Sequence, residues 1–292
     1  MAKWGGGVPT TMKEKTKLVN KVKRLIRKTG MPRWLHHYGP KKYEFLDHAI
    51  AYIVKQECKL GYRRVTRLLR WLGHKCPCAS ALCMSFNKLP LSIWQLLLKA
   101  TANTTVNLAA VDGTGMSRPL PSPYYYKRID KPYPIDIPLK LSIAVNTKTK
   151  KILALRLRSK NAHEIRNFKY LVKRLPSKPN TIVADKGYDA NWVHGYCNSL
   201  SIQAIIPARD YGSKKIPRYN TKYRKMAMKY FNKKVYNRRE IVESVFSAIK
   251  RKFGPSLSSI KFSAQRAEMY CRAITHNIFL FLIGLFERSL KL

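Results

Sequence analysis

The chain has 292 residues, 45% of them hydrophobic, which is enough for a packed core and excludes a wholly disordered protein. It carries 58 Lys and Arg against 15 Asp and Glu, and the net charge of +43 indicates a polyanionic partner. The N-terminus lacks an apolar segment, and the longest apolar run, residues 278–286, is too short to span a bilayer. We therefore expect a soluble, intracellular protein without a membrane partner.

The first part of the chain predicts a helical domain. Apolar residues recur at helical spacing in three segments, residues 41–59, 63–72 and 91–99. Gly61 between the first two is typical of the break in a helix-turn-helix. We expect residues 1–104 to form a helix-turn-helix-like DNA-binding domain and residues 105–292 to form a second domain.

Four possible zinc ligands lie close together in this first part, namely His74, Cys76, Cys78 and Cys83. Their spacing lacks the paired Cys-x2-Cys pattern of zinc ribbons. Ordinary small core residues are therefore the favoured interpretation, and zinc is the alternative.

After residue 105 short apolar segments alternate with helical ones. Buried strands are predicted over residues 106–111, 139–145, 152–157, 181–184 and 202–206. Helices are predicted over residues 165–175, from residue 190, and towards the end of the chain. The second and third strands form a hairpin. This order predicts an α/β fold, a mixed sheet flanked by helices.

Two aspartates, Asp112 and Asp185, each follow an apolar strand and precede a glycine turn. An isolated buried carboxylate costs several kcal/mol unless it is paired or binds a cation. Two of them on neighbouring strands would repel each other, and oxygen ligands favour Mg²⁺ or Mn²⁺. The alternative is that each Asp caps its turn. The parallel occurrence of two such segments favours the metal site.

A third segment places one acid among basic groups. At about 100° per residue, one face of a continuous helix would carry Tyr236, Arg239, Glu243 and Lys250. The neighbouring apolar stripe predicted to pack on the sheet is Val242, Val245, Phe246 and Ile249. A metal ligand beside phosphate-binding groups would have this pattern, and so would a solvated helix with an ordinary i,i+4 ion pair. Geometry alone leaves both open.

The chain resembles the DDE transposases of prokaryotic insertion sequences over residues 106–285. It matches the family motif Y-x2-R-x3-E-x6-K at every position, with Tyr236, Arg239, Glu243 and Lys250. Asp112 in V-D-G-T-G resembles the first catalytic Asp of the family, and Asp185 in A-D-K-G-Y-D resembles the second. The chain departs from many relatives between Asp185 and Glu243, where it has no room for their large β-rich insertion.

The resemblance implies a ribonuclease-H-like catalytic domain in which Asp112, Asp185 and Glu243 are catalytic and bind two Mg²⁺ or Mn²⁺ ions. It implies cleavage at the ends of an insertion sequence and joining of those ends to target DNA. The implied partners are double-stranded DNA, as terminal inverted repeats and target, and a second copy of the chain in a homodimer. The implied location is the prokaryotic cytoplasm, at the nucleoid.

The segment 207–239 is rich in Lys, Arg and Tyr, and we interpret it as part of a DNA track. The predicted DNA-binding residues are Tyr236, Arg239, Lys250, Lys186, Lys214, Lys215, Lys233 and Lys234. Glu164 is predicted to close a capping box with Asn161, although it could also lie near the acidic site, and Asp189 is predicted to be a helix N-cap.

Two other functions fit the same sequence. One is an inactive or repurposed transposase that binds DNA without cutting it. The other is a nuclease of the same fold, because a fold does not fix a function.

Overall fold

A computed structural model describes most of the chain in two compact units. The described residues are 20, 23–24, 26–27, 29–35, 38, 41–102, 105–119, 122–132, 138–159, 163–209 and 221–289, with side chains given up to residue 281 and at residue 283. The first unit comprises the chain up to Pro90 and from Ile278 onwards, and the second is Leu91–Asn277. The contacts thus divide the chain at Pro90, whereas the sequence suggested a boundary after residue 104.

Three helices form the described core of the first unit: α1 (Phe45–Glu57), α2 (Tyr62–Trp71) and α3 (Ala79–Lys88). They pack through buried residues that include Tyr52, Leu69 and Leu82. The first two confirm the predicted helices. Helix α3 was not predicted, because its apolar stripe is short and interrupted by Ser and Asn. Helix α2 has a basic, solvent-exposed face with Arg63, Arg64 and Arg67.

The four possible zinc ligands do not share one environment. Cys76 is buried, and burial raises the pKa of its thiol, whereas Cys78 is exposed and Cys83 is half-buried. Within the part of the chain that the structure describes, no three His, Cys, Asp or Glu side chains are grouped so that they could hold a metal ion.

The second unit is built on a sheet that has five strands in the described residues. They are β1 (Leu108–Met116), β2 (Leu139–Asn146), β3 (Ile152–Arg158), β4 (Thr181–Ala184) and β5 (Gln203–Ile205). The strand order is β3-β2-β1-β4-β5. The first three strands are antiparallel neighbours, and β4 and β5 run parallel to β1. This confirms the α/β class and the mixed sheet.

The remaining described helices are α4 (Leu91–Thr101), α5 (Pro123–Arg128), α6 (Ile165–Val172), α7 (Asn191–Ser199), α8 (Lys222–Lys229), α9 (Lys233–Tyr236), α10 (Glu240–Phe253) and α11 (Phe262–Ser289). Strands of the sheet are contacted by α4, α6, α7, α9 and α10. Two 3₁₀ turns, Lys186–Tyr188 and Asn237–Arg239, lie between these elements. None of the helices in the described residues is both long and apolar enough to cross a membrane.

Strand β1 is longer than predicted, and this changes the setting of Asp112. The sequence predicts a strand that ends at Val111 and a glycine turn after it, and this is wrong. Residues Gly113 to Met116 continue the strand because they pair with Leu139 to Ser142 of β2. Asp112 therefore lies inside β1, at the level where the shorter β4 ends.

Side chains of β1 alternate between the two faces of the sheet. Ala109 and Val111 belong to the core that contains Phe168 of α6, so Gly113 faces the same side. Asp112 and Thr114 consequently face the opposite side, where α10 packs on β1 and β2. The position of each residue along β1 thus decides which helix it meets.

Candidate active site

Asp112 and Asp185 occupy equivalent positions on neighbouring strands. Val111 of β1 pairs with Ala184 of β4 in a parallel register, and each aspartate follows directly. Neighbouring strands are about 4.8 Å apart, so the two backbones bring the carboxylates to one edge of the sheet. After Asp185 the chain turns into the 3₁₀ segment Lys186–Tyr188. The sequence predicted a short turn after both aspartates, and the structure has it after Asp185 but not after Asp112.

The Asp112 carboxylate is largely buried, and burial raises its pKa to about 6. The backbone N–H of Gly113 donates to its Oδ1 at 2.8 Å, which together with the charge of Arg239 opposes that rise. The neighbouring carboxylates of Glu164 and Asp185 raise the pKa further. The charged form of Asp112 therefore needs more positive charge than Arg239 alone supplies.

One guanidinium connects two of the three predicted acids. Arg239 Nη1 lies 2.7 Å from Oδ2 of Asp112, and its Nη2 lies 2.6 Å from Oε1 of Glu243. Burial lowers the pKa of Arg239, but the two carboxylates outweigh it and the net shift is upwards. The Tyr236 hydroxyl lies beside Arg239, and burial raises its pKa. A cation thus already sits between Asp112 and Glu243.

The helical segment that carries Glu243 is not one continuous α-helix. Tyr236 ends α9, Arg239 ends a 3₁₀ turn, and α10 begins at Glu240. The condition under which all four motif residues share one face, an unbroken α-helix back to Tyr236, is therefore not met. The predicted packing stripe is confirmed, because the buried residues of α10 include Val242, Val245, Phe246 and Ile249.

Lys250 reaches the same face of β1. Its Nζ donates to the hydroxyl of Thr114 at 2.9 Å. An open cleft of about 610 Å³ lies here, and its lining includes Asp112, Thr114, Glu243, Lys250 and Arg251. The side chain of Glu243 is 56% exposed towards solvent. The cleft therefore presents carboxylates and ammonium or guanidinium groups together, which suits a ligand that combines phosphates with a cation.

The donor chemistry of this cleft fits a divalent ion, although the three acids are not grouped as ligands. Among the described residues no set of three His, Cys, Asp or Glu side chains could hold a metal. The oxygen donors are of the type that Mg²⁺ and Mn²⁺ prefer. The raised pKa of Asp112 and the Arg239 bridge indicate a place where carboxylates converge on positive charge.

Glu164 is a fourth acid at this end of the sheet. Helix α6 begins at Ile165, so Glu164 is its N-cap residue and makes no side-chain cap hydrogen bond. The capping box is therefore wrong for Glu164, and Asn161 lies outside the described residues. Its carboxylate instead pairs with Lys140 and lies against Gly113. The other interpretation of the sequence, that Glu164 lies near the acidic site, describes its position.

Asp189 has a structural environment that the sequence did not reveal. Helix α7 begins at Asn191 with Ala190 as N-cap, so the predicted N-cap role of Asp189 is wrong. Its Oδ1 lies 3.2 Å from Nε2 of His194, and its carboxylate also pairs with Arg224 of α8. Its Oδ2 accepts the backbone N–H of Arg209 at 2.8 Å. Burial alone would raise the pKa of Asp189, but these partners outweigh it and the pKa is lowered.

Most predicted DNA-binding lysines that the structure describes are exposed. Lys186, Lys233 and Lys234 lie on the surface. Lys214 and Lys215 fall outside the described residues. Within the basic segment Arg224 is an exception, because it is buried against Asp189. Among the described residues of this segment, some basic side chains therefore face solvent while others, such as Arg224, have structural partners.

Comparison with known proteins gives a family assignment. A solved structure with a similar course of the chain is the piggyBac transposase synaptic complex with hairpin DNA, at 11% identity and a TM-score of 0.48, over 92% of this chain and 72% of that one. A similarity this low carries no argument. A family model described as the transposase DDE domain matches residues 107–278, which span the whole sheet and α10. The chain belongs to the transposase DDE domain family.

Proposed function

We propose that this DNA transposase cleaves at the ends of its insertion sequence and joins them to target DNA by metal-dependent phosphoryl transfer, with Asp112, Asp185 and Glu243 as the catalytic acids. The observation that carries the proposal is the position of Asp112 and Asp185 on neighbouring parallel strands, with Glu243 tied to Asp112 through Arg239. The family assignment supports the reaction class.

The three acids would hold Mg²⁺ or Mn²⁺, two ions in the family pattern. Such ions activate an attacking oxygen and stabilise the leaving oxygen of a phosphodiester. The carboxylates of Asp112 and Glu243 already bind a cation in the form of Arg239. Since two cations in one position repel each other, we expect the Arg239 side chain to give way when these acids bind a metal.

The basic groups of the cleft would bind and orient DNA. Lys250, fixed by Thr114, and Arg239 are placed to contact phosphates next to the acids, with Tyr236 beside them. Further along the surface Lys186, Lys233 and Lys234 would neutralise backbone phosphates, and we assign the same role to Lys214 and Lys215. The arginine-rich face of α2 supports a helix-turn-helix-like DNA-binding domain in residues 1–104.

The proposed partners are double-stranded DNA, as terminal inverted repeats and target, and a second copy of the chain. A homodimer would hold two ends in one complex. Cross-linking of the protein in the presence of end-containing duplexes tests this arrangement. A single copy bound per pair of ends would contradict it.

The test of the catalytic proposal is a cleavage and joining assay with end-containing DNA and Mg²⁺. Glu243→Gln should abolish products, whereas Glu240→Gln, an exposed acid on the same helix, should leave them unchanged. Retained DNA binding by Glu243→Gln would show that the loss is chemical. Equal activity of both variants would contradict the assignment of Glu243. Nicks without joined products would favour the nuclease.

One observation favours a second candidate, a protein that binds DNA without cutting it. Arg239 fills the space between Asp112 and Glu243 with two short ion pairs. If that arrangement persisted at millimolar Mg²⁺, the acids would serve only to anchor a DNA-binding arginine. The same assay separates the candidates, because this protein would shift end-containing DNA in a gel and yield no cleaved or joined products.

A further inference from the structure

A second cleft in Leu91–Asn277 lies at β3, an edge strand of the sheet, and its lining includes four arginines. Its volume is about 460 Å³. It is bounded by α4, β3, α6 and α11, and its arginines are Arg156, Arg158, Arg174 and Arg266. None of the described residues that line it is acidic. Neither the motif residues nor the acids described above take part in it.

An aromatic residue holds two of these arginines in place. The Cζ of Arg174 lies 3.6 Å from the ring centroid of Tyr170, and that of Arg156 lies 4.4 Å from it. The Tyr170 hydroxyl accepts a hydrogen bond of 2.8 Å from Gln95 Nε2, which fixes the ring. Stacked guanidiniums keep their N–H edges free for planar anions such as phosphate.

In the described part of the chain, no carboxylate is paired with the arginines of this cleft. Burial lowers the pKa of Arg156, and the charges of Arg158 and Arg174 lower it further. The Nε of Arg266 is buried without a hydrogen-bond partner in the described structure. Guanidiniums that repel one another in a half-buried cleft indicate an anionic ligand.

The cleft lies at the same end of the sheet as the acids but on the opposite face, because Arg156 pairs with Ser142, the partner of Gly113, and stacks on Tyr170 of α6. Arg158 pairs with Lys140 of β2, which in turn pairs with Gly115 of β1. Two strand spacings therefore separate Arg158 from Gly115, roughly 10 Å between backbones. Duplex DNA carries one charge per about 1.7 Å of its axis, so a duplex that passes the end of the sheet at the acids presents further phosphates towards the α6 face.

We propose that the arginine cleft formed by Arg156, Arg158, Arg174 and Arg266 is a binding site for the phosphate backbone of DNA on the face of the sheet opposite the catalytic cleft. It deepens the proposed function, on which it rests, by extending the DNA track around the end of the sheet to the β3 edge. Each guanidinium can give two parallel hydrogen bonds to one phosphate. Because these contacts reach only the backbone, they add affinity without selecting a sequence.

The test measures DNA affinity against salt concentration in EDTA, where no cleavage occurs. The variant is Arg174→Gln/Arg266→Gln, and the matched control is Lys148→Gln/Lys178→Gln, which removes the same charge at the opposite end of the sheet. The slope of log affinity against log salt changes by about 0.9 per phosphate contact. We expect the arginine variant to lower the slope by about 1 to 2, and the control to leave it unchanged.

Equal slopes in the two variants would overturn the proposal, and a lower melting temperature of the arginine variant at an unchanged slope would assign its residues to packing. If that variant does not fold, phenylglyoxal labelling of the wild-type chain decides instead. DNA should protect Arg174 and Arg266 from the reagent. Protection by pyrophosphate but not by DNA would overturn the proposal in favour of a small anion.

The two proposals can fail separately. If the wild-type chain gives no cleavage or joining but the two variants still differ in salt slope, the transposition chemistry is refuted. The arginine cleft then remains a DNA site. Normal cleavage with equal slopes would refute the arginine cleft alone.

Discussion

Asp112 and Asp189 are both buried aspartates in the same unit, yet their surroundings shift their pKa values in opposite directions. The Asp189 side chain is 1% exposed. Its carboxylate contacts His194, pairs with Arg224 and accepts a backbone N–H, so its charge is compensated. The Asp112 side chain is 13% exposed, and its one guanidinium partner is shared with Glu243. Burial alone therefore does not mark a catalytic acid.

The difference between the two sites lies in what remains to be neutralised. At Asp189 the attraction of the partners outweighs the free-energy cost of burying the charge, and the carboxylate is neutralised without a ligand. At Asp112 other carboxylates lie nearby, and a further cation would be stabilised. The comparison teaches that a carboxylate lacking sufficient internal counter-charge is the better indicator of a site.

The largest expected effect is on catalysis at Asp112. Asp112→Asn should lower cleavage and joining by at least about a thousandfold, the upper end of a single transition-state contact. The fold should persist, because the amide is not charged and burial disfavours the charge that it replaces. Product yield and a melting curve check this. A variant that cleaves normally would remove Asp112 from the chemistry.

Asp189→Asn should have the reverse profile. It leaves the buried Arg224 guanidinium without this carboxylate, and breaking a buried pair costs about 3 kcal/mol or more. Denaturant unfolding should show this loss, while activity per folded molecule stays near that of the wild type. Unchanged stability would mean that Asp189 is not a structural anchor and would break the comparison.

Asp189 should also make the stability of the fold depend on pH. The pKa of Asp189 is lowered in the folded chain, so the unfolded chain takes up the proton first as the pH falls. The stabilisation is complete above the ordinary value of 3.8 and is lost as the pH drops through the lower folded-state pKa. The stability difference between wild type and Asp189→Asn should thus shrink below about pH 4. A constant difference would contradict this.

A smaller effect is expected where the backbone of β1 meets Glu164. A Cβ at Gly113 would lie 2.6 Å from Oε1 of Glu164, whereas at Gly115 the nearest atom, Cβ of Pro138, is 3.6 Å away. Gly113→Ala should therefore displace the Glu164–Lys140 pair and cost about 1 kcal/mol or less, because the atoms that the new Cβ meets are the carboxylate end of a flexible side chain. Gly115→Ala is the matched control. Similar unfolding curves for both variants would mean that Glu164 moves freely.

The smallest effect concerns the exposed lysines. Lys233→Gln/Lys234→Gln should lower the salt slope of DNA binding by about 1 to 2 and weaken binding to all DNA sequences alike. Affinity for end-containing and unrelated duplexes should fall by the same factor. A loss confined to end sequences would instead assign these lysines to sequence recognition.

Local patterns made much of the fold predictable from the sequence. The β2–β3 hairpin, β4 with Asp185, and the apolar stripe of α10 each depend on a few adjacent residues, and the structure confirms them. The extension of β1 through Asp112 depends on pairing with β2, which no local pattern reports. The glycines of β1 suggested a turn, because the strand that they pair with, β2, lies in another segment of the sequence.

Long-range partners explain what the sequence did not reveal at the site. Asp189 meets Arg224, Glu164 meets Lys140, and Arg239 meets Asp112 across large separations in the chain. In the sequence, the local pattern that points to the arginine cleft is the alternation of Arg156 and Arg158 with Leu155 and Leu157 in β3. Such alternation marks an outward-facing strand, and its meaning depends on the helices that pack nearby.

The most direct test of the three-acid assignment is a crystal structure with Mn²⁺, read from anomalous difference density. The account predicts density held by the carboxylates of Asp112, Asp185 and Glu243, with the Arg239 guanidinium no longer between Asp112 and Glu243. An Arg239 bridge that persists at saturating Mn²⁺, with no anomalous density at these carboxylates, would contradict it.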